Sequence, residues 1–458
     1  MRVIISNKLR LSNVPENIRS LLMEQLQFVN PKWIENNRMG RWNKGTPKQL
    51  KYYRKLSGGG LSIPRGYMRQ IYLLCRRHDE ALEIEDRRRI KAQIDFPFKG
   101  QLKPFQQNAV DVMLAKDFGT LSAPTGSGKT VMALNMISRR RQPTLVIVHT
   151  KELAAQWMER IRTFLNIDHD DIGYIGGGRK RISCGITVAM VQSLYKCARE
   201  VAPGIGHLVV DECHRAPSRT FTEAVTAFDA QYMLGLSATP WRRDKLSKLI
   251  FWHLGDVHHE VSKSHLVEKG HILDIEVLVR NTQFKPYYDP VNEYSKMLSE
   301  LTVNDDRNRL IAADIASEIE TGPADGLCLV LSDRKRHCET LRTILKHKHH
   351  LEAGLITGDV GMAQRQQVLQ QLNRAQFRVL IATGQLVGEG FDHPGLTSLF
   401  LTTPIRFSGR VIQYLGRVLR PVEGIEKARI FDYVDIHVQP LAAAAKARQS
   451  VYCAQGHS

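Results

Sequence analysis

At 458 residues and 52.0 kDa the chain is too long for one ordinary core and suits two or three domains, each large enough to fold alone. Its 65 Lys and Arg outweigh 46 Asp and Glu, a net charge of +19 that favours a polyanionic partner. Seven cysteines, odd in number and without a CxxC pair, indicate neither a zinc ribbon nor a secreted disulfide scaffold, and neither a signal peptide nor a membrane span is read, so a cytoplasmic protein with no membrane partner is expected.

In chain order, residues 1–95 mix short apolar runs with basic clusters around a Gly-rich break, GTPKQLKYYRKLSGGGLSIPRG, and end in the charged amphipathic stretch RRHDEALEIEDRRRIKAQ. Residues 1–100 carry 21 basic and 9 acidic side chains, so a small, separate, basic N-terminal accessory domain is predicted. Over 96–255 the texture changes to short apolar runs alternating with helical periods: GTLSAP then VMALNMISRR, TLVIVHT then KELAAQWMERIRTFL, HLVVDE, YMLGLSAT. That alternation predicts βαβ units and a parallel sheet covered by helices. The stretch 256–300 is less regular and reads as an inter-domain linker. The pattern resumes over 301–458 with GLCLVLSD, GLITGD, FRVLIATG and SLFLTTP, so the fold class expected is α/β with two tandem parallel-sheet domains.

The most informative chemistry lies at 123–130, APTGSGKT, between an apolar strand and a helical period. In a P-loop, glycines let the backbone wrap phosphates while successive N–H groups and the helix N-terminus face the negative charge. Here Thr125, Gly126, Ser127 and Gly128 form that cradle, Lys129 would reach the β- and γ-phosphates, and the Thr130 hydroxyl would bind Mg²⁺. Ala123 departs from the general pattern, which opens on glycine. About 80 residues on, the run HLVVDECH ends in two carboxylates where a parallel strand delivers side chains to the sheet rim. Asp211 would hold Mg²⁺ through its water shell, and Glu212 would orient or deprotonate the attacking water. His214 is placed to couple this pair to the SAT motif at Ser237, Ala238 and Thr239. The cofactors expected are therefore ATP and Mg²⁺.

GSGKT, DECH and SAT, followed far downstream by QYLGRVLR, resemble the ordered motifs of superfamily 2 DExH helicases over roughly residues 101–435. LKPFQQNAV, GLSATPWRRD and IQYLGRVLRP followed by ARIFDYVD look most like the branch containing XPB-like repair helicases, phage UvsW and restriction-enzyme translocases. The resemblance implies two RecA-like domains sharing one ATP. By the same likeness Gln106, 17 residues before Ala123, would read the adenine edge.

In QYLGRVLR, spacings of four and three place Gln413, Arg417 and Arg420 on one helical face. Arg420 would serve as the arginine finger on the transferring phosphoryl group, with Arg417 as its partner. IATGQLVGEGFDHP looks like the family motif that touches both ligands, with Thr383 on the nucleic-acid backbone and Gly390 and Asp392 near the ribose or the finger. Strand-gripping positions are implied at Thr150, Lys151 and Glu152 and at Gln192 and Ser193, whose groups can bond phosphate oxygens without reading bases. Trp241, Arg242 and Arg243 could touch a strand or junction, or equally pack between domains. The N-terminal zone is similar in texture to small modules of XPB-like helicases that contact duplex DNA, with Trp33, Trp42, Lys44 and Arg65 as contacts; its aromatics could equally form the module's own core.

The activity expected is an ATP-dependent DNA helicase or translocase moving 3′ to 5′ on single-stranded, forked or duplex DNA, with protein partners in a repair, replication or defence complex. Two other readings stay open: an ATP-switched clamp that remodels nucleoprotein without separating strands, and an RNA helicase. No nuclease, methyltransferase or zinc constellation is evident.

Overall fold

The computed structural model describes residues 1–215, 219–238, 247–384, 393, 395–404 and 427–454. The chain divides into two compact units: Met1–Pro124 with Gly128–Val261, and Ser262–Ser458 with Thr125–Ser127. The fold class is α/β with parallel-sheet domains, as expected.

The first unit opens with a five-stranded sheet in the order Arg54–Lys55, Leu61–Pro64, Lys8–Ser12, Arg2–Ile5, Glu83–Asp86. Strict alternation in KLRLS buries Leu9 and Leu11 on one face and exposes the polar residues on the other, the pattern of a sheet with one wet face. Helices Glu16–Gln25 and Met68–Arg77 bury Ile18, Leu22, Ile71 and Leu74 in the same core. A separate hairpin pairs Gln27–Val29 with Gln49–Lys51. Between its strands lies helix Pro31–Arg38, started by Asn30, whose side chain caps the Lys32 N–H.

This N-terminal zone is less separate than the sequence implies. Its core also takes in Leu249 and Trp252 from helix Ser247–Leu254 of the following α/β domain. The Trp252 ring lies 5.3 Å from Tyr52, 6.0 Å from Tyr67 and 6.1 Å from Phe28, all N-terminal residues. Gly66 makes the approach possible: a Cβ there would fall 2.1 Å from the Phe251 carbonyl oxygen. Removing the joint's largest ring, as Trp252→Ala, is expected to cost about 3–5 kcal/mol. It should lower the thermal midpoint and speed hydrogen exchange in residues 1–86 and 247–261 together. Loosening of residues 1–86 alone would show two independent cores.

The α/β domain of this unit carries an eight-stranded sheet: Arg179–Arg181, Gly173–Gly176, Ile186–Met190, Thr144–Val148, His207–Val210, Tyr232–Ser237, Phe118–Ser122, Val257–Glu260. All neighbouring pairs are parallel except the first. TLVIV and HLVV are buried at every residue, as strands covered by helices on both faces must be. Helix Lys151–Leu165 shows the matching helical logic: Thr150 caps the Leu153 N–H, the buried residues Ala154, Trp157, Ile161 and Leu165 recur at spacings of three and four, and Asn166 ends it at φ 54°.

The second unit has a six-stranded, all-parallel sheet in the order Asp274–Thr282, Lys427–Asp435, Leu396–Leu401, Leu327–Ser332, Val379–Thr383, Ala353–Ile356. Helices Asp305–Thr321 and Lys335–His349 pack on it through Ile311, Ile315, Leu341 and Leu345. Its core holds two ion pairs that leave neither partner unsatisfied. Arg307 donates to Asp435 at 2.9 Å and to the Thr402 carbonyl at 2.7 Å, and Arg448 donates to both oxygens of Asp432. The stretch 256–300, irregular in sequence, supplies an edge strand to each sheet, Val257–Glu260 to the first and Asp274–Thr282 to the second. Among the described residues no helix is long and apolar enough to cross a membrane.

Candidate functional site

Strand Phe118–Ser122 runs buried between Tyr232–Ser237 and Val257–Glu260, and Ala123 extends it by donating its N–H to the Ser237 carbonyl. The chain then turns through Gly126 (φ 85°) and Gly128 (φ 83°), left-handed conformations that an L side chain would strain. A Cβ at Gly128 would also sit 2.4 Å from Gln106 Nε2, so a side chain there would displace that amide. Gln106 is nearly buried in helix Pro104–Leu114 and accepts the Lys103 N–H at 2.9 Å, which fixes its amide beside the loop. Helix Lys129–Arg140 begins on the loop's last residues. Lys129 Nζ donates back to the carbonyls of Ala123 (2.9 Å) and Pro124 (3.3 Å), while Thr125 and Thr130 are half-buried and Ser127 is buried.

Two strands along the sheet, beyond Tyr232–Ser237, strand His207–Val210 ends in Asp211, which is 6 % exposed, and its main chain is tied to Ile147. Each Asp211 oxygen accepts one N–H, Oδ1 from the Glu212 backbone at 2.9 Å and Oδ2 from the Trp157 indole at 2.8 Å. Glu212 has φ 49°, a left-handed backbone in a residue that is not glycine, the kind of local strain held at functional sites by the structure around them. His214 Nδ1 lies 3.1 Å from both Glu212 Oε2 and Ser237 Oγ, so it bridges the second carboxylate and the next strand's end. Burial and the Glu212 charge push the Asp211 carboxyl above the usual carboxylate range, against the opposing pull of the Trp157 hydrogen bond and the Lys129 charge. Two adjacent carboxylates that resist sharing negative charge, with a hydroxyl on the first turn of the P-loop helix, are a donor set that fits Mg²⁺; a loop with two left-handed glycines and a lysine at its end fits a polyphosphate.

Along the same rim, the ends of the paired strands Thr144–Val148 and Ile186–Met190 bring the implied strand-gripping residues together. Gln192 Nε2 donates to the His149 carbonyl at 3.2 Å, which braces it against the residue before Thr150. The Thr150 oxygen is occupied as a helix cap for the Leu153 N–H, but its hydroxyl proton remains available to a phosphate oxygen. Lys151 is exposed, and Glu152 and Ser193 are half-buried. In the second unit Thr383 ends strand Val379–Thr383, half-buried at that sheet's C-terminal rim.

Of the N-terminal residues, Trp42 is 83 % exposed with Lys44 Nζ 5.3 Å from its ring, and Trp33 is half-buried under Lys48. Arg65 corrects the sequence expectation. It is 2 % exposed, donates to the Ala230 carbonyl at 2.7 Å and lies over the Phe118 ring, so it joins the N-terminal zone to the α/β domain and presents nothing to a strand. Burial and the nearby Arg88 pull its pKa down to about 9. Thr239, Trp241, Arg242, Arg243, Gly390, Asp392, Gln413, Arg417 and Arg420 lie outside the described residues.

Sequence reasoning missed Trp157. It occupies the apolar phase of its helix together with Ala154, Ile161 and Leu165, so periodicity marks it as core. Only the indole N–H distinguishes it, and its acceptor is 54 residues away.

Residues 99–242 match the family model of the type III restriction enzyme res subunit, and residues 311–422 match the helicase conserved C-terminal domain. Among curated proteins, the DNA 3'-5' translocase XPB2 of Sulfurisphaera tokodaii is 29 % identical over 373 residues, 74 % of this chain and 83 % of that one. A protein of Acanthamoeba polyphaga mimivirus, named as a candidate ATP-dependent RNA helicase, is 26 % identical over 376 residues, 80 % of this chain and 70 % of its own. Among solved structures, S. cerevisiae Dbp5 bound to RNA and ADP BeF3 is similar at TM-score 0.52 and 15 % identity, over 77 % of this chain and 88 % of that one, a likeness of fold alone.

Proposed function

Because the chain belongs to the superfamily 2 DExH helicases, in the branch that holds XPB-like enzymes, we propose that this ATP-dependent helicase or translocase moves 3′ to 5′ along DNA in repair, recombination, phage replication or defence. The observation that carries the nucleotide half is the buried Asp211 with the half-buried Glu212 at the sheet rim beside Lys129, following a loop whose left-handed backbone at positions 126 and 128 favours glycine. Lys129 and the N–H groups of 125–130 hold the phosphates, Gln106 reads the adenine, and Glu212, steadied by His214, takes the proton of the attacking water. Thr130 and Asp211 would hold Mg²⁺, which would neutralise charge on the phosphate oxygens. Arg417 and Arg420 would supply the guanidinium groups for the transferring phosphoryl group, as the family resemblance implies. Strand contact falls to Thr150, Lys151, Gln192, Ser193 and Thr383, all suited to phosphate oxygens, so sequence preference is weak.

The N-terminal hairpin region extends the track. Residues 31–55 contain eight Lys and Arg and one acidic residue, Glu35. The exposed Trp42 projects from a turn braced by Asn43, which bonds to Asn36 and Asn37. An aromatic held in water among cations suits a nucleic-acid base or backbone. Neutralising Arg38, Arg41, Lys44 and Lys48 is expected to weaken DNA binding and flatten the plot of log affinity against log salt by about 0.7–0.9 for each phosphate no longer neutralised. An unchanged slope removes this region from the DNA path.

The activity itself is tested by ATPase with single-stranded DNA, duplex, forks and RNA, followed by displacement of a triplex strand from duplex DNA. DNA-stimulated turnover with triplex displacement is expected. Turnover stimulated by RNA alone would favour the RNA reading, which the mimivirus relative keeps open. Stimulation by DNA without displacement would favour a clamp.

A further inference from the structure

The Asp211 carboxylate is oriented by two donors of different kinds. One is its own neighbour, the Glu212 N–H, which any strand-to-turn junction supplies. The other is Trp157 Nε1, which donates to Oδ2 at 2.8 Å from a ring that is 1 % exposed. A hydrogen bond to a carboxylate inside a buried site is strong and directional, so it fixes the carboxylate plane and leaves the remaining lone pairs aimed outward. The donor's helix matters as much as its chemistry. Lys151–Leu165 starts at Thr150 and Lys151, and at 1.5 Å per residue the indole lies about 10 Å below them on the same rigid rod.

We propose that Trp157 is a positioning residue. Its indole N–H sets the Asp211 carboxylate for the water shell of Mg²⁺, and its helix carries strand occupancy at Thr150 and Lys151 to that carboxylate. The inference rests on the nucleotide-site reading above. A tryptophan that only filled the core would do neither, since Phe retains most of its packing and lacks the donor.

The test compares the full-length wild type with Trp157→Phe, both checked by thermal melting. Binding of fluorescent mant-ADP is titrated with and without Mg²⁺, and ATPase is measured across Mg²⁺ concentrations with and without single-stranded DNA. The variant should bind mant-ADP normally without Mg²⁺ and lose about tenfold of the Mg²⁺-dependent tightening, as removal of a hydrogen-bonding support of a metal-holding group commonly does. Its stimulation by DNA should fall by a similar factor. A lowered melting temperature with wild-type Mg²⁺ tightening and wild-type stimulation would overturn the proposal and leave Trp157 as core. Abolished tightening with intact stimulation would overturn the coupling to the strand. If the wild type itself shows no Mg²⁺-dependent tightening, the nucleotide-site reading fails first.

Should the variant not fold, the five tryptophan indole N–H signals of ¹⁵N-labelled wild type give a second readout. One slowly exchanging signal should shift on adding Mg²⁺ and ADP and shift again with single-stranded DNA; five signals indifferent to both would overturn the proposal.

Discussion

Replacing Glu212 by Gln should reduce ATP turnover to near background, a loss of about 10²–10⁴-fold for a general base, while nucleotide and DNA are still bound. The reason lies in the division of labour at the sheet rim. Asp211 is buried and has both oxygens engaged, which suits it to the charge-holding role proposed for it. Glu212 stands beside it on a left-handed backbone, with Oε2 3.1 Å from His214 Nδ1. Gln preserves the size, the backbone preference and a contact with His214, and removes only the capacity to take a proton. Nucleotide affinity measured by fluorescence should therefore stay within a few fold of wild type. If Glu212→Gln hydrolyses ATP at the normal rate, Glu212 is not the base.

Arg420→Ala should be comparably severe, with turnover falling by on the order of 10³–10⁵-fold, the range of an arginine finger. Here the expectation rests on spacing and family: spacings of four and three would set Arg417 and Arg420 on one face with Gln413 if the segment is helical. A guanidinium that meets charge developing on the phosphoryl group lowers the barrier and contributes little to ground-state binding. The fall should therefore appear in kcat, with KM for ATP changing much less. Arg420→Lys should restore little, because a point charge does not reproduce the planar fork. A loss confined to KM would make Arg420 a binding residue, and a wild-type rate would remove it from the site.

How far the sequence could be read depended on how local the physics was. The phosphate loop was legible because its glycines, lysine and following helix all act within eight residues, and the two left-handed φ values are what those glycines are for. The carboxylate pair was legible because HLVV is buried along its whole length and must release its next residues at the rim. The likeness of Arg65 to a surface contact was misleading for the opposite reason. Nothing within the segment SIPRG signals that its guanidinium is claimed by a carbonyl 165 residues away. The strands at 257–260 and 274–282 escaped notice because each is a sheet edge, where VHHE and the outer half of DIEVLVRNT keep polar residues in water and blur the apolar run. Trp157 was hidden by its own apolar phase, and Trp252 by following a segment read for its cations.

A structure with a nonhydrolysable ATP analogue, Mg²⁺ and a DNA strand measures the central claim most directly, through the distances from the γ-phosphate to Lys129 and to the guanidinium groups of Arg417 and Arg420. Lys129 and at least Arg420 within hydrogen-bonding reach of the same triphosphate is the result predicted. Both arginines turned to solvent, with Lys129 alone on the phosphates, would contradict it.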